Sequence, residues 1–409
     1  MSPRPRVLIT GAGVVSPLAS GYPAFTDALM SGASAVKAHN IGVPGGDQKA
    51  SFWGAWFGPE YQSEVAGHGV QPFMDRSTHF ALDAADEAIK QSGLLQRPSL
   101  DRGRGVIVCG IGLSGQVTMS QLFFSIYGQG KKRAHPFTVP KLMPSGANSI
   151  IAMQYGLSAP GFSVSSACAS SNHAVGIALG MLRSGICDWA IVGGAEAGIG
   201  YVSLLSWQSL RVTSPSHSAP FSEGPTGMAI GEGAAMVVLE TEAHAQAGGA
   251  KPLAELAGFG MSSDGDHMTQ MNPAVAGRAI ELALADAGIS AAEVDHINAH
   301  GTGTQLNDRS ESEVIHRVYG EHARRIPVTS TKAAHGHAIG ATSALELIAG
   351  VASLQQQQIP PTANFTRLRE GVDLNVVHGQ AQQAALSNVV SHAFGFGGLN
   401  AVLALRGLR

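Results

Sequence analysis

Charge is scarce in this chain. Only 13% of its residues are Asp, Glu, Lys or Arg, and the formal net charge is -3. Such a surface carries neither the basic stripe of a nucleic-acid binder nor an acidic tail. Cysteine is scarcer still. Cys109, Cys168 and Cys187 form no CxxC pair, which excludes a secreted disulfide framework. No apolar run approaches the roughly 18 residues that a membrane-spanning helix needs. The opening Met-Ser-Pro-Arg-Pro-Arg leads into a strand without a signal-peptide core. These absences point to a cytoplasmic protein that meets neither nucleic acid nor membrane.

What is abundant is small. The chain holds 52 glycines, and alanine is plentiful, a composition that lets backbones pack closely and turn sharply. A length of 409 residues suffices for two domains or one large double unit. The β-branched run at residues 7–10 predicts a strand. The Gly11-Ala-Gly13 that follows is no dinucleotide loop, because Ser16 replaces the third glycine and Pro17 comes next. A tight turn packed in the core is expected there. Residues 40–70 read as an irregular excursion, and residues 203–228 as a Ser/Pro-rich insertion. Strands are expected near 106–109, 188–192, 235–239, 253–258, 294–298, 326–330, 388–391 and 401–405, with helices between several of them.

Three strand ends carry reactive side chains. Val164-Ser-Ser-Ala-Cys-Ala-Ser-Ser-Asn-His173 places Cys168 at a strand-to-helix turn, where a helix N-terminus would stabilise a thiolate. His300 opens His300-Gly-Thr-Gly-Thr304, and His337 closes Lys332-Ala-Ala-His-Gly-His337. The strings His173-Ala-Val-Gly and His337-Ala-Ile-Gly suggest two similar α/β halves. In open α/β folds strand ends converge on the ligand site. A thiol beside two histidines suits a nucleophile with donors for a carbonyl oxygen or an enolate. Zinc could take the same set, but the spacing contains no short ligand pair, so convergence on one metal is not expected. A peptidase-like pair would leave the second histidine and Lys332 without a role.

Four of these segments together resemble the elongating β-ketoacyl-acyl carrier protein synthases: Ala167-Cys-Ala-Ser170, the two histidine motifs, and Phe394-Gly-Phe-Gly-Gly-Leu-Asn400. Val14-Val-Ser-Pro17 and Gly231-Glu-Gly233 fit as well, so the resemblance runs from about residue 5 to 407. It implies an α/β, thiolase-like fold, five-layered α-β-α-β-α, from two duplicated halves at 1–250 and 251–409. It implies Cys168 as the acyl acceptor, His300 and His337 as the histidine pair, and Lys332 as a supporting lysine paired with Glu311 or Glu346. Phe394 would be the gate, its N–H forming the oxyanion hole with that of Cys168. Thr302 and Thr304 would line the pantetheine tunnel, and Leu113 the acyl pocket with Met143 and Met153 nearby. Lys131, Lys132, Arg133 and Arg211 would dock an acidic acyl carrier protein. No metal or nucleotide cofactor is implied, because substrates ride on the carrier's phosphopantetheine. The partner subunit would be a second copy or a chain-length-factor-like chain.

Residues separate the near relatives. Degradative thiolases carry a second catalytic cysteine near the C-terminus, and no cysteine follows Cys187 here. Initiating synthases have asparagine at the place of His337, and chain-length-factor subunits lack the active cysteine. The expected reaction is decarboxylative Claisen condensation of an acyl-enzyme with malonyl-acyl carrier protein in fatty acid synthesis. One departure supports an alternative. Pro220-Phe-Ser-Glu-Gly-Pro-Thr-Gly227 puts Ser222, Pro225 and Thr226 where the family has charged residues, and Met271-Asn272 stands where a proline pair is usual. These changes suit a specialised polyketide or aryl-polyene ketosynthase. A non-catalytic role in a condensing heterodimer is a third reading, opposed by the retained Cys168, His300 and His337.

Overall fold

The computed structural model of the protein describes residues 4–43 and 46–408. The first three residues of the N-terminal reading, positions 44–45 of the excursion and residue 409 lie outside the described residues. Ten strands carry the frame. In chain order the first set is β1 (Val7–Val15), β2 (Gly105–Gly110), β3 (Gly161–Val164), β4 (Trp189–Glu196) and β5 (Gly233–Thr241). The second set is β6 (Ala254–Ser263), β7 (His296–Asn298), β8 (Pro327–Thr329), β9 (Asn388–Gly395) and β10 (Leu399–Arg406).

The two sets repeat one topology. Side by side the strands run β3-β2-β4-β5-β1 in one set and β8-β7-β9-β10-β6 in the other. In each, the last strand in sequence, β5 or β10, is antiparallel to both neighbours, and the three strands beyond it are mutually parallel. The sets join where β1 meets β6, at Leu8 opposite Glu255 and Ile9 opposite Ala254.

Helices make the remaining layers. Helix α1 (Arg76–Ser92) covers β1 and β5 from outside. Helices α2 (Ser170–Arg183) and α6 (Ile339–Gln356) cross each other and touch strands of both sets, which makes them the central layer. Helix α3 (Tyr201–Ser209) follows β4. Helices α4 (Pro273–Ala287) and α5 (Gln305–Tyr319) cover the second set from outside. The architecture is the five-layered α-β-α-β-α thiolase-like fold. A helix covered on all sides cannot be amphipathic, and α6 is buried at every residue from Ile339 to Leu354.

Several local expectations change in three dimensions. Gly11-Ala-Gly13 is no turn: β1 runs through it to Val15, with a register shift between Ile9 and Gly11. The glycines are there because α1 lies directly on the strand, and a Cβ at Gly11 or Gly13 would sit 2.0 Å from the carbonyl oxygen of Ala88 or Ala84. The 40–70 excursion contains most of a two-stranded hairpin, Lys37–Gly42 with Lys49–Ala55. The 203–228 insertion begins as part of α3. The two His-Ala-x-Gly strings are not equivalent, since His173 lies inside α2. The topological equivalents are Cys168 and His337, each two residues ahead of its central helix.

The close approach of α1 to β1 gives a stability prediction. Gly11→Ala should lower stability by about 1–3 kcal/mol or more, because backbone rather than a flexible side chain blocks the new methyl. Gly180→Ala, in α2 with nothing within 4 Å of the added Cβ, should be neutral or stabilise by up to about 1 kcal/mol. Apparent unfolding midpoints in urea compare the two; equal effects would contradict the packing argument.

Candidate active site

The two central helices bring the reactive residues together. Cys168 lies between β3 and α2, His337 between β8 and α6, and His300 just past the end of β7. The reactive atoms of the three lie within 4.8 Å of one another, and all three residues are buried. The three strand ends that the sequence marked therefore meet at one place. Both helix junctions are strained in the same way: Ala167 has φ of 52° and Ile339 has φ of 39°, left-handed values that a side chain disfavours. Hydrogen bonds hold the first junction. Ser170 Oγ donates to the Ala167 carbonyl at 2.6 Å and accepts from the Ser166 N–H at 2.9 Å. The His337 backbone is clamped on both sides, N–H to the Ala229 carbonyl at 2.7 Å and carbonyl to the Gly231 N–H at 2.9 Å.

The imidazole of His337 has a defined tautomer. Its Nδ1 accepts the Ile339 N–H at 3.1 Å, so the proton resides on Nε2. That Nε2 is buried without a partner among the described residues. A nitrogen carrying a proton offers a hydrogen bond rather than a lone pair, which suits a carbonyl oxygen and not a metal ion. His300 faces His337 edge-on, with ring centroids 5.9 Å apart at 88°.

Lys332 is buried and paired with Glu346. Of the two carboxylates expected to meet this lysine, Glu346 does so and Glu311 does not. Glu311 instead accepts the backbone N–H groups of His300 and Gly301, both at 2.7 Å. Burial pushes the Glu346 carboxyl up to about 7 despite Lys332. Burial first, and the Lys332 charge second, hold both His300 and His337 well below the usual imidazole pKa, so both rings are neutral. Burial pushes the Cys168 thiol up to about 11, while Lys332 and the Phe396 N–H pull it down. The resting residue is a thiol. The thiolate that the helix N-terminus would stabilise is disfavoured here, because desolvation is the largest influence on the sulfur.

The Phe396 backbone corrects another expectation. Phe394 lies in β9, opposite Asn400 of β10, and its ring packs on His300 at 5.9 Å. The N–H that reaches the sulfur belongs to Phe396, in the turn that follows. Gly397 and Gly398, with φ of 78° and 70°, let that turn reverse. The Gly397 N–H donates to the Met268 carbonyl at 2.7 Å, and the Asp264 N–H to the Gly398 carbonyl at 3.1 Å. The sequence held a usable signal, since Phe396 is the aromatic flanked by glycine on both sides.

A cavity of about 500 Å³ opens onto Cys168, His300 and His337. Thr302 and Thr304 line it with their hydroxyls 2.9 Å apart, and Phe394, Phe396 and Arg211 line it too. Trp207 of α3 also lines it, with its ring 6.4 Å from that of Phe396, and the sequence reading did not single it out. Thr226 is in the wall as well. The structure does not bring Leu113 into this cavity. Its N–H donates to the buried Glu196 carboxylate at 3.2 Å, and the residue is 37% exposed. Met143 and Met153 line a separate hollow of about 160 Å³. Lys131, Lys132 and Arg133 are exposed and do not line the Cys168 cavity. No helix among the described residues is long and apolar enough to cross a membrane.

The chain resembles known proteins along nearly its whole length. Residues 4–245 match the family described as "Beta-ketoacyl synthase, N-terminal domain", and residues 253–366 its C-terminal domain. Nodulation protein E of Rhizobium sp. (strain N33) is 39% identical, covering 98% of this chain and 99% of its own length. The 3-oxoacyl-[acyl-carrier-protein] synthase 2 of Coxiella burnetii is 34% identical, covering 98% of each. Among solved structures, the ishigamide ketosynthase/chain length factor superposes with a TM-score of 0.92 at 31% identity over 100% of both chains.

The electrostatics predict how Cys168 reacts. With a thiol pKa near 11, thiolate rises about tenfold per pH unit, so alkylation by iodoacetamide should accelerate from pH 7 to 10 without a plateau. Lys332→Met removes a positive charge, raises that pKa and should slow alkylation at pH 8 roughly tenfold. A plateau below pH 9, or faster alkylation in the variant, would contradict this account.

Proposed function

The chain belongs to the β-ketoacyl synthase family and has its condensing-enzyme chemistry; on that premise we propose that it is a specialised ketosynthase of the polyketide or aryl-polyene kind, rather than a housekeeping enzyme of fatty acid synthesis. The observation that carries the chemistry is the neutral His337 with its proton on an unpartnered Nε2, beside His300 and Cys168. Two considerations favour the specialised setting. Thr226, which replaces a charged residue of the usual family pattern, stands in the cavity wall. The relatives also include a ketosynthase/chain length factor pair, and identity to a nodulation protein exceeds that to the C. burnetii synthase.

The proposed steps use the observed groups. Cys168 Sγ attacks the carbonyl carbon of an acyl thioester on a carrier protein. The oxyanion is held by the N–H groups of Cys168 and Phe396, and the pantetheine thiol leaves with the proton. A malonyl thioester then enters past Thr302 and Thr304. His300 and His337 donate to its carbonyl oxygen. The C–CO2 bond breaks, its electron pair forms an enolate, and the enolate carbon attacks the acyl group on Cys168. The new C–C bond forms, the C–S bond breaks with its electron pair going to sulfur, and the released thiolate takes a proton from solvent to restore the Cys168 thiol. Lys332 and Glu346 hold the field around the three residues, and Glu311 holds the His300 backbone. These steps call for no metal and no nucleotide. Residues 1–250 would supply the nucleophile and residues 251–409 the histidines.

The carrier protein would dock at the rim beside Arg211, steered by Lys131, Lys132 and Arg133, and a chain-length-factor-like subunit would complete the dimer. Such steering weakens with salt.

Two experiments test this reading. Cys168→Ala should lose acylation and still release CO2 from malonyl-carrier protein, whereas His300→Ala and His337→Ala should abolish release; no acylation of folded wild type would instead indicate a non-catalytic subunit. A series of acyl-carrier substrates, with and without a chain-length-factor-like partner, should show preference for aryl or conjugated chains and dependence on that partner. Efficient elongation of saturated chains by the protein alone would favour fatty acid synthesis. In the same assay Arg211→Glu, or Lys132→Glu with Arg133→Glu, should raise KM for carrier substrates and spare small acyl thioesters.

A further inference from the structure

One buried histidine beside the active site has no place in the steps above. His392 lies in β9, two residues before Phe394, and is completely buried. Its Nδ1 is 3.3 Å from Glu311 Oε1, and its Nε2 has no partner among the described residues. Its ring lies 5.4 Å from that of Phe394, which in turn packs on His300.

Glu311 is the reason this matters. It is fully buried, and among the described residues no lysine or arginine pairs with it. Its other donors are the N–H groups of His300 and Gly301 and, at 3.3 Å, Asn307 Nδ2. Those three belong to the loop that carries His300 and to α5 itself. His392 is therefore the donor that ties the carboxylate to β9, the strand whose end delivers the Phe396 N–H to Cys168. A buried carboxylate is held in place by its donors, and a carboxylate lacking one is a poorer anchor for the loop bound to it.

We propose that His392 is a positioning residue: through Glu311 it fixes the His300 loop relative to β9, so that His300 meets the malonyl carbonyl in register with Cys168. The proposal rests on the condensing chemistry above, and it concerns the second half-reaction more than the first, because acyl transfer to Cys168 does not use the His300 side chain.

Two substitutions separate donor from bulk. His392→Asn keeps an N–H near the Nδ1 position and removes the ring, whereas His392→Phe keeps the ring and removes the donor. Hydrogen exchange of segment 299–304 should accelerate at least tenfold in H392F and stay within about threefold of wild type in H392N. This readout needs no activity, so it stands apart from the assignment of the reaction. In turnover with malonyl-carrier protein, H392F should lose roughly 10- to 100-fold in kcat with KM little changed, the scale of a misplaced catalytic group. Single-turnover acylation of Cys168 should change less than about threefold in either variant. The assignment is overturned if H392F matches wild type in exchange and turnover, or if H392N is the more damaged of the two. Equal loss in both half-reactions, or failure of both variants to fold, also overturns it, since each would make His392 a packing residue.

Discussion

One buried positive charge, second only to burial itself, shapes the electrostatics of the site. Lys332 and Glu346 lie in the buried centre of the molecule, where a lone ion would cost several kcal/mol and a pair costs much less. Burial keeps the lysine from bulk water, so its field reaches Cys168, His300 and His337 together. It opposes burial at the thiol and adds to burial at the imidazoles. Both effects suit the chemistry, because the nucleophile must lose a proton while the histidines must stay neutral and keep their N–H groups. A lysine at the surface could not serve in this way.

The duplicated topology explains how three residues so far apart in sequence meet. Each half ends its parallel strands toward the same place, and each sends a central helix back from that end. Cys168 and His337 occupy equivalent junctions, and each junction contains a residue in the left-handed region, Ala167 before the cysteine and Ile339 after the histidine. Small residues let the layers approach: a Cβ at Gly340 of α6 would meet the Gly112 backbone and Glu196, and one at Gly176 of α2 would meet Phe259. The rest of the cavity wall comes from other parts of the chain: α3 with Trp207, the Thr226 loop, and the Phe396 turn held by Met268 and Asp264.

Much of this was legible in the residues. The Cys168, His300 and His337 motifs, each behind a short apolar run, marked three strand ends. At the start of α4 the Asn272 side chain accepts the Ala274 N–H and Pro273 follows, a helix start written in residue types. The Gly11-Ala-Gly13 segment misled because glycine signals both a turn and a close backbone approach, and only the position of α1 distinguishes them. The hairpin at Lys37–Gly42 was hidden because its half-exposed strands lack a clear apolar alternation.

The sequence by itself determined the residue types of the chemistry, the family and the paired α/β architecture, since local pattern and motif order carry that information. Tertiary structure alone decided which carboxylate meets Lys332, which phenylalanine gives its N–H to the sulfur, and which nitrogen of His337 holds the proton. It also decided that Cys168 rests as a thiol and that Leu113 stands apart from the cavity. These outcomes depend on distances, desolvation and hydrogen bonds that only the folded chain sets, although the glycines on either side of Phe396 did mark that residue locally.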